Sequence, residues 1–434
     1  MPPAPRALAL TCLLLAAALA GRVVPARAAP VRTDGQRARP ARALPAGPAV
    51  ARAAVSQRSA TDPRLVEQWS LDGDGPMGIA SAWSQTTGGP VTVAIVDSGI
   101  DLGHPDLVPN LWSNSGEIVG NGIDDDANGY VDDVHGYDFV AGDPVPQDEN
   151  GHGTHVAGIV AARGGNGIGI SGTAWQARLM AVRVLDDRAT GTTETVAAGV
   201  RYAADNGARI INLSLAGPSS SADLEAAIAD ATARGVLVVA AAGNAGRDLA
   251  KVPAYPASYA LPGVVGVAAS DERGRLATIS DYGPGADLAA PGQDILSTAL
   301  GGGYEWRTGT SMAAPAVTGA AVLLAAERPD LDASALRDAL LGSARRTGLP
   351  VEAGALDVGA ALRIVIPAVS WRAPAPAAAG ARATARTPGR SGRARIAHRA
   401  AHRAGRRVRA SRARHARAQR RHHRRRARAR DHRR

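Results

Sequence analysis

The chain has 434 residues, 45% of them hydrophobic, so it is long enough and apolar enough to bury a large core. Its one cysteine, Cys12, excludes an intramolecular disulfide. The formal net charge of +11 is unevenly distributed. Residues 372–434 contain 23 arginines and one acidic residue, and residues 1–60 contain nine arginines and one acidic residue, which leaves residues 61–371 at −19. The basic charge therefore belongs to the two ends, and the central part is acidic.

The first 29 residues have the pattern of a secretory signal peptide. Arg6 supplies the positive charge, an apolar run follows over residues 7–20, and A-x-A cleavage patterns end at Ala20 and Ala28. The run is shorter than the ~20 apolar residues of a membrane-spanning helix. We therefore expect a secreted protein with no membrane-spanning segment in the mature chain.

Composition marks two further boundaries. Residues 30–60 are rich in Arg, Ala and Pro without periodicity, which is typical of a disordered linker or a short pro-segment. Residues 368–434 form an Arg- and Ala-rich tail, predicted to be disordered because it has almost nothing apolar to bury. Residues 61–367 are predicted to form a single folded domain.

Within that domain, apolar segments alternate with segments of helical periodicity. Runs typical of parallel strands buried on both faces occupy residues 91–97, 179–186, 209–215, 236–243 and 264–270. Helical patterns between them cover residues 154–162, 195–207 and 222–235. The alternation predicts an α/β fold, a doubly wound parallel sheet with helices on both faces. Sites in such folds lie at the carboxyl ends of strands.

Three segments carry the residue types of a nucleophilic triad: Asp97 in VAIVDSGID, His152 in NGHGTHVAG and Ser311 in GTSMAAP. A serine is a weak nucleophile at neutral pH and needs a base, whose tautomer a carboxylate must hold. Each segment alone has an ordinary alternative, such as a strand-ending aspartate, a helix-start histidine or a loop serine. His155 lies three residues after His152, so spacing alone does not choose the base. A zinc site on the two histidines lacks an evident third ligand.

The residues around Asp97, His152 and Ser311 resemble the subtilisin-like serine proteases (the subtilase family), closest to the thermitase-type branch, from about residue 62 to 366. The resemblance implies a subtilisin-like catalytic domain and a secreted serine endopeptidase of broad specificity that forms an acyl-enzyme. It makes His152 the base and His155 a packed helix residue. It also implies that Asn244, in VLVVAAAGNAG, donates to the oxyanion of the transition state.

The same resemblance assigns residues that bind an extended peptide. These residues form one strand and one wall of the specificity pocket: Ser214, Leu215, Ala216, Ala241, Ala242 and Gly243. Ala254 aligns near the pocket floor. Small uncharged walls imply a roomy apolar pocket. The chain departs from the family in lacking a folded pro-domain before the enzyme, and in having Ala316 where relatives often have histidine.

A metal signal lies in GIDDDANGYVDD, over residues 122–133. Asp124, Asp126 and Asn128 match the start of an EF-hand calcium loop, but His135 stands where that loop ends in glutamate. A solvated acidic turn is the alternative. Calcium fits the oxygen donors better than zinc or copper does.

Two further calcium sites are implied by the resemblance alone. The first comprises Asp106, Asn166 and the carbonyl groups of Ile168 and Ile170. The second comprises Asp138, Asp143 and Gln147, weakened because Ala141 replaces an aspartate. We expect structural calcium and no organic cofactor.

Two other classes of function are weighed against a protease. One is a catalytically idle protease fold that serves as a binding protein. The other is polyanion binding by the Arg-rich tail, whose arginines supply salt-dependent affinity but which lacks aromatic residues for base stacking. The tail could instead bind the chain's own acidic domain. We expect protein and peptide substrates, a monomer, and a secreted protein, with retention at the cell surface as an alternative to free release.

Overall fold

The computed structural model describes residues 61–73 and 75–366. The predicted signal peptide, residues 1–29, the linker, 30–60, and the tail, 368–434, lie outside the described residues. The strands are β1 Thr92–Asp97, β2 Gly136–Asp138, β3 Arg178–Arg183, β4 Ile210–Leu213, β5 Leu237–Ala241, β6 Val264–Ser270, β7 Leu288–Pro291, β8 Ile295–Ala299, β9 Gly303–Arg307 and β10 Gly354–Ala355. The α-helices are α1 Ile79–Trp83, α2 His152–Ala161, α3 Thr193–Asp205, α4 Ala222–Ala233, α5 Thr310–Glu327, α6 Ala333–Gly342 and α7 Val358–Val365.

An eight-stranded sheet organises the described chain, in the order β10-β7-β6-β5-β4-β1-β3-β2. Every pairing in this sheet is parallel, so the predicted doubly wound α/β fold is confirmed. The five predicted strands correspond to β1, β3, β4, β5 and β6. Sequence analysis missed the short strands β2, β7 and β10 and the antiparallel hairpin of β8 and β9.

Side chains of each central strand alternate between two hydrophobic cores. Val93 and Ile95 of β1 pack in one core with α2 and α5, whereas Ala94 and Val96 pack in the other with α3 and α4. Both faces are buried, which is why these strands read as continuous apolar runs rather than as alternating ones. The chain passes from β1 to β3 on one side and then to β4 on the other, so the strand order reverses beside β1. Such a reversal opens a crevice at the carboxyl ends of the strands.

Helix α5 is the central helix of the first core. Among the described residues it is the one helix that is long and apolar enough to span a membrane, by length and composition alone, and 83% of it is buried inside the protein. Burial of that degree is typical of a core helix. Its first turn lies at the carboxyl edge of the sheet, next to the segments that follow β4 and β5.

Candidate active site

Asp97 ends β1 and His152 begins α2, and their side chains meet at the edge of the sheet. The Asp97 carboxylate is fully buried, and its Oδ1 lies 2.7 Å from His152 Nδ1. Burial by itself would lower the pKa of His152. The negative charge of Asp97 and its hydrogen bond outweigh that effect, so the pKa of His152 is raised above its ordinary 6.5. The pair is therefore built to hold one imidazole tautomer and to stabilise the imidazolium.

Close packing brings the start of α2 against the end of β1. A Cβ atom added at Gly153 would lie 2.1 Å from the carbonyl oxygen of Gly99, so only glycine allows this approach. Asp148, which sequence analysis did not single out, stabilises the same junction. Its Oδ1 accepts hydrogen bonds from Ser98 Oγ and Gly151 N, and its Oδ2 accepts one from Thr154 N. The signal available in the sequence was an acidic residue just before a helix start.

His155, the other histidine of HGTH, lies in α2 and is fully buried. Its Nε2 lies 3.1 Å from the Ile295 carbonyl oxygen and 3.2 Å from that of Glu305. Burial lowers the pKa of His155 to about 3, so the imidazole is neutral across the neutral pH range. With Nε2 engaged by backbone carbonyl groups, His155 joins α2 to the β8–β9 hairpin.

Ser311 is the second residue of α5, and it faces Ser214, which follows β4. The Ser311 hydroxyl donates to the Ser214 carbonyl oxygen at 2.9 Å rather than to His152. The Ser214 hydroxyl donates to the Ser311 carbonyl oxygen at 2.8 Å. The structure thus contains an Asp97–His152 pair and a Ser214–Ser311 pair, and α2 and α5 pack together. Catalytic hydrogen bonds often tighten only when substrate is bound.

The second of these hydrogen bonds has its cause inside α5. Pro315 lacks an N–H group, so the carbonyl group of Ser311, four residues earlier, has no helical donor. Ser214 supplies that donor. Its hydroxyl in turn accepts from Asn212 Nδ2 at 2.8 Å, and Asn212 Oδ1 accepts from Thr318 Oγ1 at 2.8 Å. This buried polar chain joins α5 to the segment predicted to bind substrate.

Asn244 follows β5 and is exposed beside the start of α5. Its Oδ1 accepts from Thr310 N at 2.8 Å and from Thr310 Oγ1 at 3.0 Å. With the oxygen fixed in this way, the Nδ2 group has no protein acceptor in the part of the chain that the structure describes. A free amide N–H next to Ser311 is the arrangement that an oxyanion donor requires.

Asp281 is a second residue that sequence analysis missed. It is fully buried, and its Oδ1 accepts from Ala245 N at 3.1 Å and from Arg247 N at 2.7 Å. Its own N–H donates to the Gly243 carbonyl oxygen at 2.9 Å. A Cβ at Gly243 would lie 2.3 Å from Asp281 Oδ2, so residue 243 must be glycine. Asp281 therefore fixes the backbone on both sides of Asn244, and no local pattern in SDYGP indicated this role.

The residues predicted to contact substrate lie in two segments at the same edge. Leu215, Ala241 and Ala242 are buried, and Ala242 packs with Ala254 in a small apolar cluster that Ala216 borders. Gly217 and Tyr255, which flank this region, exchange two backbone hydrogen bonds of 2.8 Å. The two predicted walls and the predicted floor are thus adjacent, and most of their residues are alanine or glycine.

The acidic loop supports a different ligand set from the one expected. Carboxylate oxygens of Glu117, Asp124 and Asp126 all lie within 4.8 Å of one another. Asn128, by contrast, directs its Nδ2 group toward Asp133 at 3.0 Å, and its Oδ1 accepts from Tyr130 N. Its side chain stabilises the loop, whereas Glu117 joins the carboxylate cluster. Glu117 was missed because it lies outside the twelve-residue pattern.

Around Asp106 the structure brings the predicted residues together and adds Asp62. Asn166 Nδ2 donates to Asp106 Oδ1 at 2.7 Å and Asn166 Oδ1 accepts from Ile168 N, so this amide stabilises the loop as Asn128 does in the acidic loop. Asp62 accepts backbone N–H groups of the same loop, including that of Asn166. Asp106 is fully buried and Asp62 is 4% exposed. Neither carboxylate forms a salt bridge with any described residue. Ile170 N also donates to Asp106, and its carbonyl group and that of Ile168 belong to the same loop.

The group of Asp138, Asp143 and Gln147 is different because Arg183 forms a salt bridge with Asp138. Arg183 Nη1 lies 2.7 Å from Asp138 Oδ2, while Asp138 Oδ1 accepts from two backbone N–H groups. Asp143 Oδ1 accepts from Val145 N, and Gln147 Oε1 accepts from Leu102 N at 3.1 Å. Asp138, unlike Asp62 and Asp106, therefore has a cationic partner, whereas Asp143 forms no salt bridge with any described residue.

Known proteins resemble this chain both in sequence and in fold. The profile of the subtilase family matches residues 88–361. Thermitase of Thermoactinomyces vulgaris is 44% identical over 246 residues, which cover 57% of this chain and 78% of thermitase. Subtilisin Savinase of Lederbergia lenta is 43% identical over 262 residues, 60% of this chain and 86% of that protein. A protease structure from Pseudoalteromonas arctica has a TM-score of 0.60 at 30% identity, covering 70% of this chain and 99% of that one.

The family match includes Asp97, His152, Asn244 and Ser311. A second solved structure, of a cold-adapted subtilisin-like serine proteinase, has a TM-score of 0.51 at 31% identity and covers 63% of this chain and 88% of that one. The chain belongs to the subtilase family, with a thermitase-type sequence, and is a serine endopeptidase.

Proposed function

We propose that this endopeptidase acts through a triad of Asp97, His152 and Ser311. The observation that carries the proposal is the 2.7 Å contact between the buried Asp97 carboxylate and His152 Nδ1. With Nδ1–H donating to Asp97, His152 Nε2 is left as the proton acceptor. The Ser311 hydroxyl reaches it by rotating away from the Ser214 carbonyl group when substrate occupies the Ser214 strand.

The proposed reaction has two stages. His152 Nε2 takes the Ser311 proton as Oγ attacks the scissile carbonyl carbon, and the imidazolium then gives that proton to the leaving amine. Water repeats the sequence on the acyl-enzyme. The oxyanion receives hydrogen bonds from Asn244 Nδ2 and the Ser311 N–H group at the start of α5. Donors fixed in advance stabilise the transition state without reorganisation.

Substrate binding is proposed at the two segments that flank Ser311. An extended peptide would pair with the backbone of residues 214–216 as an added strand. The side chain before the scissile bond would enter between residues 214–216 and 241–243, above Ala254. Because these walls are small and uncharged, we infer broad specificity with a preference for apolar side chains.

Structural calcium is proposed at two of the three candidate places. Asp62 and Asp106 place two buried carboxylates without salt-bridge partners against one loop, together with the carbonyl groups of Ile168 and Ile170, and oxygen donors of this kind suit calcium. Glu117, Asp124 and Asp126 form the second set. A bound cation would offset the repulsion within each group and so stabilise the folded chain. The Asp138 site remains only a prediction.

Secretion and the role of the tail are also proposals. Residues 1–29 have the pattern of a signal peptide, so we infer a secreted protein, and we propose that it is a monomer. The +22 charge of residues 372–434 favours retention on an anionic polymer or binding to the acidic domain. Truncation after Ala368 is expected to change kcat/KM on a neutral peptide by less than about threefold and to abolish salt-sensitive retention on heparin.

The triad is tested by three single variants. Ser311→Ala and His152→Ala should each lower kcat by ~10⁶, the size of loss known for subtilisin, and abolish labelling by a fluorophosphonate. His155→Gln is the matched control, since it removes a histidine of the same helix and should retain labelling. Casein hydrolysis that survives in Ser311→Ala, or labelling that requires His155 and not His152, would overturn the assignment.

A further inference from the structure

Arg307 is a cation at the rim of the site that the proposed reaction does not use. It ends β9, four residues before Ser311. Its Nη2 lies 3.2 Å from the position of a Cβ added at Gly151, the residue immediately before His152. Leu300, 39% exposed, contacts the same point. Arg307 and Leu300 therefore lie beside the entrance to the histidine.

The β8–β9 hairpin is held rigidly against α2. The Ser297 hydroxyl donates to the His155 carbonyl oxygen at 2.7 Å, and the Thr298 hydroxyl donates to that of Thr154 at 2.7 Å. His155 Nε2 bonds back to Ile295 and Glu305. Arg307 consequently has a fixed position relative to His152.

The chemistry defines which part of a substrate this wall faces. His152 must give a proton to the leaving amine, so the leaving-group residues lie on the histidine side of Ser311. The segment after β4, which is proposed to pair with the residues before the scissile bond, is instead bonded to Ser311 itself through Ser214. A cation next to Gly151 thus meets residues that follow the scissile bond.

The guanidinium group is available to a ligand. Its Nε donates to Glu305 Oε1 at 2.7 Å, and within residues 61–73 and 75–366 neither Nη atom has a protein acceptor. The side chain is 28% exposed, so solvent and substrate reach it. Two parallel Nη–H groups suit a carboxylate.

We propose that Arg307 is a specificity determinant that selects substrates with Asp or Glu at the first or second position after the scissile bond. The inference rests on the proposed triad, because the direction of the leaving group follows from His152. It goes beyond the pocket of residues 214–216 and 241–243, which acts on the other side of the bond.

The same location gives an independent signature. The charged groups that act on His152 are Asp97 and Asp148, which raise its pKa, and Arg307, which lowers it. Removing the guanidinium charge should therefore raise the pKa of His152 and move the acidic limb of kcat/KM to higher pH. An altered side-chain contact without a charge effect would not produce this shift.

The test uses internally quenched peptides that differ only in Glu, Gln or Lys at the two positions after the cleaved bond, with the bond identified by mass spectrometry. At low salt the wild-type protein should cleave the Glu peptides about fivefold or more faster than the Lys peptides, a ratio that corresponds to ~1 kcal/mol. In 1 M salt, where the Debye length is ~3 Å, the ratio should fall toward one.

Three variants test whether the preference comes from the guanidinium charge. Arg307→Gln should abolish the preference and Arg307→Glu should reverse it, whereas Glu305→Gln should increase it.

Two controls keep the test decisive. A peptide nitroanilide has no residues after the scissile bond, so Arg307→Gln should keep its kcat/KM within about threefold on the alkaline plateau of the pH profile. Arg346→Gln removes an exposed arginine near β10, at the far edge of the sheet, and should retain the preference.

A wild-type chain that hydrolyses no substrate would refute the proposed function. The role of Arg307 would be refuted if the active wild-type protein cleaved the Glu and Lys peptides at equal rates. It would also be refuted if Arg307→Gln lowered kcat/KM equally on the nitroanilide and on the peptides.

Discussion

Ser214 and Ser311 exchange two hydrogen bonds: each hydroxyl donates to the other residue's carbonyl oxygen, at 2.8 and 2.9 Å. One bond replaces the helical donor that Pro315 lacks, and the other holds the Ser311 hydroxyl at the strand that is proposed to bind substrate. The start of α5 is therefore fixed to that strand rather than to the helix alone. A substrate that pairs with the strand meets a serine already positioned beside it.

Removing the Ser214 hydroxyl should destabilise the protein because the Ser311 carbonyl group then loses its donor. We expect Ser214→Ala to lower the free energy of unfolding by ~1–3 kcal/mol. In a Pro315→Ala background the residue-315 N–H group can bond the same carbonyl oxygen, so the cost of Ser214→Ala should fall. Urea denaturation of the four proteins measures this coupling, and strictly additive losses would refute it.

Asp281 should act on catalysis through Asn244. Because its carboxylate fixes the Asn244 loop, Asp281→Ala should lower kcat by ~10²-fold with little change in KM, no more than the ~10²–10³ expected for Asn244→Ala. Asp281→Asn retains an oxygen that can accept from Ala245 and Arg247 and should restore most of kcat. In the Asp281→Ala/Asn244→Ala double variant, the loss should stay within about threefold of Asn244→Ala alone. Full multiplication of the two losses would show that Asp281 acts elsewhere.

The pH profile should follow the raised pKa of His152. The base acts only when neutral, so kcat/KM on a peptide nitroanilide should fall about tenfold for each pH unit below that pKa. Because Asp97 raises the pKa, the half-maximal point should lie above the ordinary ~6.5. Asp97→Asn removes the opposing charge and should move the point downward as well as lower the rate by ~10⁴. A limb at or below pH 6 in the wild type would contradict this account.

Calcium should stabilise the fold more than it changes activity. A cation that binds only the folded state adds ~2.7 kcal/mol at a hundredfold excess over Kd, so chelation should lower Tm by about 5 °C or more. Glu117→Gln, Asp124→Asn and Asp106→Asn should each reduce the gain on adding calcium. Glu272→Gln, which removes an exposed charge beside Arg273, is the control. Magnesium should replace calcium poorly. Equal Tm in calcium and chelator, with no metal in the protein by elemental analysis, would exclude these sites.

The sequence by itself was sufficient for the fold class and the family. Strands buried on both faces are continuous apolar runs, and the segments around Asp97, His152, Asn244 and Ser311 are short and contiguous, so both signals are local. For the same reason the hairpin of β8 and β9 was missed. Strand β8 is buried, but Ser297 and Thr298 interrupt its apolar run, and β9 is a short, partly exposed strand.

Only the tertiary structure decided which distant groups support these residues. Asp148 bonds the start of α2, Asp281 fixes the loop of Asn244, and Glu117 joins Asp124 and Asp126, although none of the three belongs to a recognisable motif. The exchange between Ser214 and Ser311 spans 97 positions in the chain. The choice of Arg307 as a rim cation likewise depends on how the hairpin packs on α2. Hydrogen bonds and charge interactions act over a few ångströms in space, and the separation of residues along the chain does not reveal that distance.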